Sequence, residues 1–140
     1  LTYGPGAKLN DERVLNQVIL RSLKNKYIDV YGGLKQLRSN LYIDDAVLMI
    51  IKSISKTNNE IFNLNNNKMD RLGNIFKLIA KISKKKLNYH RSKIIGSPSI
   101  IKISNKKIIK FLKYKISVDI KEGISKTRNW YENLNVYNKL

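Results

Sequence analysis

Apolar residues change from a helical to a strand spacing within the first 31 positions of this chain. In residues 13–24 they recur every three or four positions, on one face of a helix: Val14, Leu15, Val18, Ile19 and Leu23. Residues 27–31 then alternate with a period of two and are followed by Gly32-Gly33, as in a half-buried strand that ends at a turn. Strands that alternate with helices predict an α/β or α+β fold.

Two further short strands are predicted, at residues 41–43 and 61–64. Asp44 is the expected amino-terminal cap of a second helix. Because residues 46–51 are all apolar, we expect that helix to be buried on every side. The Asn-rich stretch 65–67 suits the turn after the second of these strands.

Three more helices complete the predicted set. Asp70 and Ser104 are the expected caps of the third helix and of a short fourth one. Asp119 and Glu122 form a capping-box-like start for the last helix, which is expected to run to about Leu134. Its core-facing residues should be Ile120, Ile124, Thr127 and Tyr131. The sequence thus predicts an α/β fold with mixed strands and about five helices in one domain.

The charge balance of the 140-residue chain is strongly basic. It has 28 Lys and Arg against 10 Asp and Glu, a net charge of +18, which attracts phosphate polyanions or anionic membranes without a specific site. Abundant lysine, isoleucine and asparagine indicate an adenine/thymine-rich genome rather than a selected binding face. A small nucleic-acid- or ribosome-associated protein is still an alternative function. Its candidate basic face is Lys106, Lys107, Lys110, Lys113 and Lys115. Aromatic side chains are not interleaved there as base stacking requires.

Several classes of site are disfavoured by residue content. The chain has no cysteine, which excludes disulfides, a thiolate nucleophile and cysteine metal sites. Its longest apolar run, 46–51, is too short to cross a bilayer, and no secretory leader is visible, so we expect a cytoplasmic protein. The sole histidine, His90, has no carboxylate nearby in sequence, so we expect a solvent-facing loop residue and no metal site.

Five motifs follow one another along the chain. They are Tyr3-Gly4-Pro5-Gly6, residues 28–33 with Gln36-Leu37-Arg38, residues 41–47, residues 61–64, and residues 111–115 with Glu122-Gly123-Ile124, Thr127 and Trp130-Tyr131. In this order and spacing they resemble the back half of the NAD-dependent epimerase/dehydratase family, the nucleotide-sugar-modifying branch of the extended short-chain dehydrogenase/reductases. The resemblance implies the carboxyl-terminal, substrate-binding portion of a Rossmann-type enzyme, without its amino-terminal NAD-binding portion.

The resemblance also implies roles for individual residues. Arg38 would bind the nucleotide diphosphate, for which the forked N–H donors of a guanidinium group are suited. The alternative is that Arg38 is an ordinary surface arginine. Gln36 would contact the nucleotide sugar. Val30 and Tyr31 would line the base pocket largely through backbone groups, with core packing as the alternative for Tyr31. Asn16 would lie on the helix that flanks the substrate.

Thr2, Tyr3 and Arg13 fall where related enzymes approach the cofactor, which is NAD by resemblance. The implied partners are a UDP-, GDP- or dTDP-sugar and a separate amino-terminal half. Two departures point to weakened substrate binding. Leu1 stands where the family usually has an asparagine that touches the substrate phosphates, and the usual Gly-Asp-Gly loop reads Gly32-Gly33-Leu34.

The family's catalytic apparatus has no counterpart here. No Gly-rich loop follows a strand, so no pyrophosphate cradle is encoded. The family's Tyr-x-x-x-Lys string occurs as Tyr31…Lys35 and Tyr89…Lys93, but both follow the Tyr-Gly-Pro-Gly turn that the family's pair precedes. We therefore predict no catalytic residue and expect the chain to be inert alone. Intact relatives would oxidise a nucleotide sugar at its ring C4, then epimerise, dehydrate or decarboxylate it, with hydride returned from NADH.

Overall fold

The computed structural model describes residues 1–24, 27–31, 33–54, 56, 59–91, 100 and 102–134. In order, its elements are β1 (Thr2–Tyr3), α1 (Val14–Leu23), β2 (Ile28–Val30), β3 (Leu37–Arg38), β4 (Leu41–Tyr42), α2 (Ile43–Ile54), β5 (Asp70–Arg71), α3 (Leu72–Ser83), β6 (Tyr89–Arg91), α4 (Lys106–Leu112) and α5 (Ile120–Asn133). Five helices and short strands over this described part confirm the predicted mixed α/β class.

The strands pair two by two. β1 lies parallel to β4, with Thr2 opposite Leu41, and β2 lies parallel to β6, with Ile28 opposite Tyr89. β3 and β5 are antiparallel. Parallel neighbours require a long crossover connection, and α1 lies within the one that joins β1 to β4. The end of β2 and Arg38 of β3 line one cleft together with the start of α1.

The main core lies where α1 packs against α3 and α5. Three residues of the predicted α1 stripe and five from both neighbouring helices belong to it, namely Leu15, Val18, Ile19, Ile75, Phe76, Ile79, Ile124 and Tyr131. Of the remaining stripe residues, Leu23 is partly buried, and Val14 is 37% exposed and lies outside the core. Of the predicted inward face of α5, Ile124, Thr127 and Tyr131 are buried and Ile120 is half-buried. A smaller core between α2 and α4 holds Leu41, Ala46, Met49, Ile108 and Leu112.

Two of the predicted helix caps are wrong. α2 already begins at Ile43, so Asp44 lies in its first turn. Asp70 pairs with Arg38 in the β3–β5 ladder, and α3 follows it directly without a side-chain cap. In each case the strand before the helix runs into it with no intervening turn for a cap to occupy.

The caps of the last two helices agree better with the prediction. Asn105, not Ser104, is the residue that precedes α4, although the Ser104 hydroxyl still accepts a 3.3 Å hydrogen bond from the Lys106 amide. Asp119 caps α5 as predicted, because its carboxylate accepts a 2.8 Å hydrogen bond from the Glu122 amide. The last helix therefore starts where its sequence signature places it.

The prediction that α2 is buried on every side is wrong. Its buried residues are Asp45, Ala46 and Met49. The other apolar residues of the helix are 42% to 75% exposed: Val47, Leu48, Ile50, Ile51 and Ile54. In the described part of the chain α2 packs mainly on β1, β4 and α4.

The predicted strand at residues 61–64 is also wrong, since this stretch is not assigned to a strand and Ile61 is 86% exposed. In this stretch, hydrogen bonds from asparagine side-chain amides take the place of the backbone hydrogen bonds that would pair two strands. Asn65 Nδ2 donates to the Ile103 carbonyl at 2.7 Å, and Asn105 Nδ2 donates to the Asn65 carbonyl at 2.5 Å. Asn66 Oδ1 accepts from the Lys68 amide, which forms the turn predicted for the Asn-rich stretch.

Gly123 lies at a close crossing between α5 and the aromatic pair Tyr3 and Tyr42. A Cβ at this position would meet Tyr3 Cζ at 2.8 Å and Tyr42 Cδ2 at 2.9 Å, both inside normal contact distance. We therefore expect Gly123→Ala to destabilise the fold by about 2 kcal/mol, although alanine is the better helix former. Urea denaturation measures this. Adding Tyr3→Phe should recover part of the loss, and strict additivity of the two substitutions would contradict the proposed contact.

Candidate functional site

A cleft of about 370 Å³ opens between the start of α1 and the strands β2 and β3. Five of the eight predicted site residues line it: Arg13, Val30, Tyr31, Gln36 and Arg38. These residues come from three separate stretches of the sequence, so only the fold brings them together. The other three, Thr2, Tyr3 and Asn16, do not line this cleft.

Gln36 links the two sides of the cleft wall. It is buried, its Nε2 donates to the Tyr31 carbonyl, and its Oε1 accepts from Arg38 Nη2. Arg38 Nη1 also donates to the Leu37 carbonyl at 2.8 Å. Burial lowers the pKa of Arg38, but a guanidinium stays charged at any physiological pH. The arrangement holds a cation at a fixed place in the wall.

Arg13 is held by a second network at the other side of the cleft. Its Nε donates to the two carboxylate oxygens of Asp11 at 2.9 and 2.8 Å, and its Nη1 donates to the Thr2 carbonyl at 3.1 Å. Asn16 Nδ2 donates to the same carboxylate at 2.7 Å, while Asn16 Oδ1 accepts from the Gly4 amide at 3.3 Å. The network fixes the Tyr-Gly-Pro-Gly turn against α1. Asp11 was not among the site residues predicted from the sequence. What could have indicated it is the position of an acidic residue two places before Arg13.

Tyr3 and Tyr31 lie in contrasting environments. Tyr3 is buried, with its ring edge-on to Tyr42 at 5.6 Å, and burial raises the pKa of its hydroxyl. Its side chain therefore belongs to the core. Tyr31 is 50% exposed on the cleft wall, so the alternative of core packing is wrong for it. It is also part of a larger adjoining groove of about 1110 Å³ that includes Tyr27 and Asp29.

His90 is exposed, as predicted, but it lies in β6 and not in a loop. The β2–β6 pairing sets it opposite Asp29, and its Nδ1 lies 3.6 Å from Asp29 Oδ1. Its ring stacks on Tyr27 with centroids 4.3 Å apart. The carboxylate beside His90 thus belongs to Asp29, which lies 61 positions earlier in the sequence.

Neither Tyr-x-x-x-Lys string lies along a helix in the described residues. Lys35 follows Tyr31 in a turn, and Tyr89 is a strand residue whose partner Lys93 lies outside the described part, as does Gly32. No group of three metal-ligating side chains is found in the part of the chain that the structure describes. In the same part, none of the helices has the length and apolar character needed to traverse a membrane.

The ion pair between Arg13 and Asp11 at the cleft shifts the pKa of Asp11, which can be tested. The hydrogen bond from the Arg13 side chain, helped by its backbone amide and Asn16, lowers the pKa of Asp11 to about 2. Stability from this pair is therefore fully present above about pH 4 and is lost as the pH falls toward 2. We expect Arg13→Ala to return the Asp11 pKa toward 3.8, its ordinary value. Carboxyl NMR titration checks this, with Arg21→Ala as a control that should leave Asp11 unchanged.

Relatives with known activities match parts of this chain. Residues 1–64 match the model of the NAD dependent epimerase/dehydratase family. UDP-glucuronic acid decarboxylase 1 of Xenopus tropicalis is 26% identical over 132 residues, which are 93% of this chain and 31% of that protein. The protein of the same name from Arabidopsis thaliana is 34% identical over 65 residues, 46% of this chain and 15% of that protein.

The fold matches solved structures over almost the whole chain. UDP-glucuronic acid 4-epimerase from Bacillus cereus superposes with a TM-score of 0.85 at 21% identity, over 95% of this chain and 43% of that one. UDP-glucose 4-epimerase from Thermotoga maritima gives 0.83 at 22% identity, over 96% of this chain and 44% of that one. The chain thus spans less than half the length of these relatives. Residues 1–64 are thus similar to the NAD dependent epimerase/dehydratase family, and the chain shares the fold of part of these solved structures.

Proposed function

We propose that the cleft binds a nucleotide diphosphate sugar, and that the chain is the nucleotide-sugar-binding portion of an epimerase, dehydratase or decarboxylase. The observation that carries this proposal is the shared lining of one cleft by Arg13, Arg38 and the end of β2. Two fixed guanidinium groups suit a diphosphate, since each can donate charge-assisted hydrogen bonds to phosphate oxygens. The half-exposed ring of Tyr31 and the backbone beside it suit a base.

The arrangement of Gln36 refines its predicted role. Both ends of its amide already bond protein groups, the Tyr31 carbonyl and the Arg38 guanidinium. Gln36 then acts as a positioning residue, which sets Arg38 and the end of β2 at a constant separation. Asn16 has the same role toward Asp11, and through it toward Arg13.

Related proteins suggest which nucleotide to test first. The Bacillus cereus epimerase was solved with UDP-glucuronic acid and NAD, and the Thermotoga maritima epimerase with UDP-glucose. The curated relatives are UDP-glucuronic acid decarboxylases. A UDP-sugar is therefore the proposed ligand, ahead of GDP- and dTDP-sugars. In the family, NAD supplies reversible hydride transfer when bound.

The described residues do not fit a complete NAD site. A dinucleotide pyrophosphate needs a Gly-rich loop at a helix amino end, whereas α1, α3, α4 and α5 are preceded by Arg13, Arg71, Asn105 and Asp119. The Tyr3 side chain is in the core, and the Thr2 carbonyl is bonded to Arg13. We therefore propose that NAD and the catalytic pair are held by residues of a complementary portion, and that this chain alone turns over no substrate. Its single-domain organisation and cytoplasmic location stay predictions.

Calorimetric titration with UDP, GDP, dTDP and their sugars at physiological salt tests the proposal. We expect saturable 1:1 binding of one nucleotide series, with the uridine series bound most tightly. Weak binding of every polyanion, equal in strength and abolished by added salt, would contradict the proposal. That result would favour the alternative basic module, whose lysines at 106, 107, 110, 113 and 115 are all exposed.

A further inference from the structure

A small cavity lies at the far end of α1 from the cleft. Its volume is about 170 Å³, and it is lined by Leu23, Ser83, Lys85, Arg128 and Glu132. These residues come from the ends of α1 and α3, the turn after α3 and the last turns of α5. A nucleotide sugar needs a larger site, since pockets for drug-sized ligands measure about 300–1,000 Å³. The cavity is therefore a separate site with room for a small ligand.

Hydrogen bonds hold the two helix ends beside this cavity together. Ser22 Oγ donates to the Ile19 carbonyl at 2.6 Å and lies 3.2 Å from Ser83 Oγ, and both serines are buried. Lys85 Nζ, from the turn after α3, donates to the Leu23 carbonyl of α1 at 3.1 Å. That bond uses one of the three N–H donors of an ammonium group. The cation is thus positioned at the cavity with donors that a ligand can use.

Arg128 brings an incompletely used guanidinium edge to the cavity. Its Nη2 donates to Glu132 Oε1 at 2.6 Å, in an i,i+4 pair on α5. Its Nε is buried and has no hydrogen-bond acceptor among the described residues. The Nε–H and Nη2–H groups point the same way along one edge of the guanidinium, an edge that can hold two oxygens of one carboxylate or phosphate. Glu132 uses only half of this edge, and a buried donor without an acceptor is unfavourable.

The charge around the cavity favours an anion. Its lining has Lys85 and Arg128 against one acid, Glu132. Lys24 and Lys84, which directly follow α1 and α3, add two more cations. The carboxyl ends of the two helices oppose them with about half a negative charge each. The balance stays positive, and an oxyanion that displaces Glu132 from Arg128 would accept from both donors of the edge.

We propose that this cavity binds a phosphate group, either as the free ion or as part of a small phosphomonoester. Arg128 donates from Nε and Nη2 to two phosphate oxygens, Lys85 donates to a third, and Glu132 turns away. A phosphate offers more acceptor oxygens and more charge than the Glu132 carboxylate, and a guanidinium fork beside a lysine point charge suits it. The cavity shares no lining residue with the nucleotide cleft, so this inference is independent of the proposed function.

Titration with inorganic phosphate at constant ionic strength, followed by proton–nitrogen correlation NMR, tests the site. The readouts are the Arg128 Nε–H signal and the backbone amide of Lys85, and we expect both to shift saturably. Arg128→Gln should weaken binding roughly tenfold or more, because it removes both donors of the edge. Lys126→Gln is the matched control, since Lys126 is also a cation in an i,i+4 pair on α5 and does not line the cavity. We expect its Kd within about twofold of wild type.

A second pair of variants changes the affinity in the opposite direction. Glu132→Gln removes the competing carboxylate and should tighten phosphate binding roughly threefold. Glu122→Gln makes the same charge change on the same helix, away from the cavity, and should leave the Kd nearly unchanged. The same spectra verify that each variant is folded. Weaker binding by Glu132→Gln, or equal tightening by both variants, would overturn the proposal.

Two further results would also overturn it: shifts that grow without saturation, and equal losses in Arg128→Gln and Lys126→Gln. A parallel titration with glycerol phosphate identifies the source of the phosphate group. Tighter binding than that of inorganic phosphate indicates a phosphomonoester, and weaker binding indicates the free ion. Arg38→Ala should leave the Arg128 shifts unchanged, so failure of the nucleotide cleft and failure of this site are separate results.

Discussion

Replacing Asp45 with alanine is expected to lower the free energy of unfolding by about 3 kcal/mol. The carboxylate is fully buried and accepts four hydrogen bonds from the segment before α5: from Tyr114 Oη at 2.6 Å, Ser117 N and Oγ at 2.9 Å each, and Val118 N at 3.0 Å. Its loss leaves these donors facing an empty site. Urea denaturation with an unchanged m-value measures the effect.

Asp44→Asn is the matched control, because Asp44 is the adjacent carboxylate on the same helix and is exposed. We expect it to change stability by less than about 0.5 kcal/mol. Burial opposes ionisation of Asp45, but the hydrogen bonds from Tyr114, Ser117 and Val118 outweigh it and lower its pKa. Its stabilisation is therefore present above the ordinary value of 3.8 and is lost as the pH falls below it. Equal effects of the two substitutions would refute this assignment.

Arg38→Ala is expected to weaken nucleotide-sugar binding by about 2 kcal/mol, roughly 30-fold in Kd. The substitution removes a half-buried, oriented cation from the cleft wall while the fold of β3 is kept by its backbone pairing with β5. Arg38→Lys keeps the charge but not the fork, so it should recover only part of the affinity. Calorimetry with UDP-glucuronic acid measures the Kd of the wild-type, Arg38→Ala and Arg38→Lys proteins.

Arg71→Ala is the matched control for the Arg38 experiment. Arg71 is an exposed arginine on the paired strand β5, and it does not line the cleft. Arg71→Ala removes one positive charge a short distance from the cleft, as Arg38→Ala removes one within it. We expect affinity within about twofold of wild type at physiological salt, since exposed charges are screened there. An equal loss in the two variants would show that charge alone attracts the nucleotide.

Local sequence patterns predicted the elements whose stability depends on nearby residues. In the predicted stripe of α1, Leu15, Val18 and Ile19 are buried as expected, but Val14 is exposed. Asp119 caps α5 through the amide three residues on. Both signals act within one or two helical turns, so the sequence contains all of their causes. Four cleft residues, Val30, Tyr31, Gln36 and Arg38, were assigned to the substrate by the resemblance to a family, and the fold adds Arg13, which the resemblance assigned to the cofactor.

Long-range contacts account for what the sequence did not predict. The role of Asp45 depends on Ser117, 72 positions away, and the environment of His90 depends on Asp29. The exposed face of α2 had no local signal, because an apolar run indicates burial without saying which surface provides it. Residues 61–64 look like a strand by composition, but no pairing partner adjoins them in the described part of the chain.

An amide NMR titration with UDP-glucuronic acid locates the bound ligand on the chain. We expect saturable shifts at Val30, Tyr31 and Arg38 and at the start of α1, with little change at residues 106–115. Shifts that are instead concentrated at the lysines of 106–115, grow without saturation and are reproduced by inorganic pyrophosphate would contradict it. That outcome would show a basic surface attracting polyanions rather than a nucleotide-sugar site.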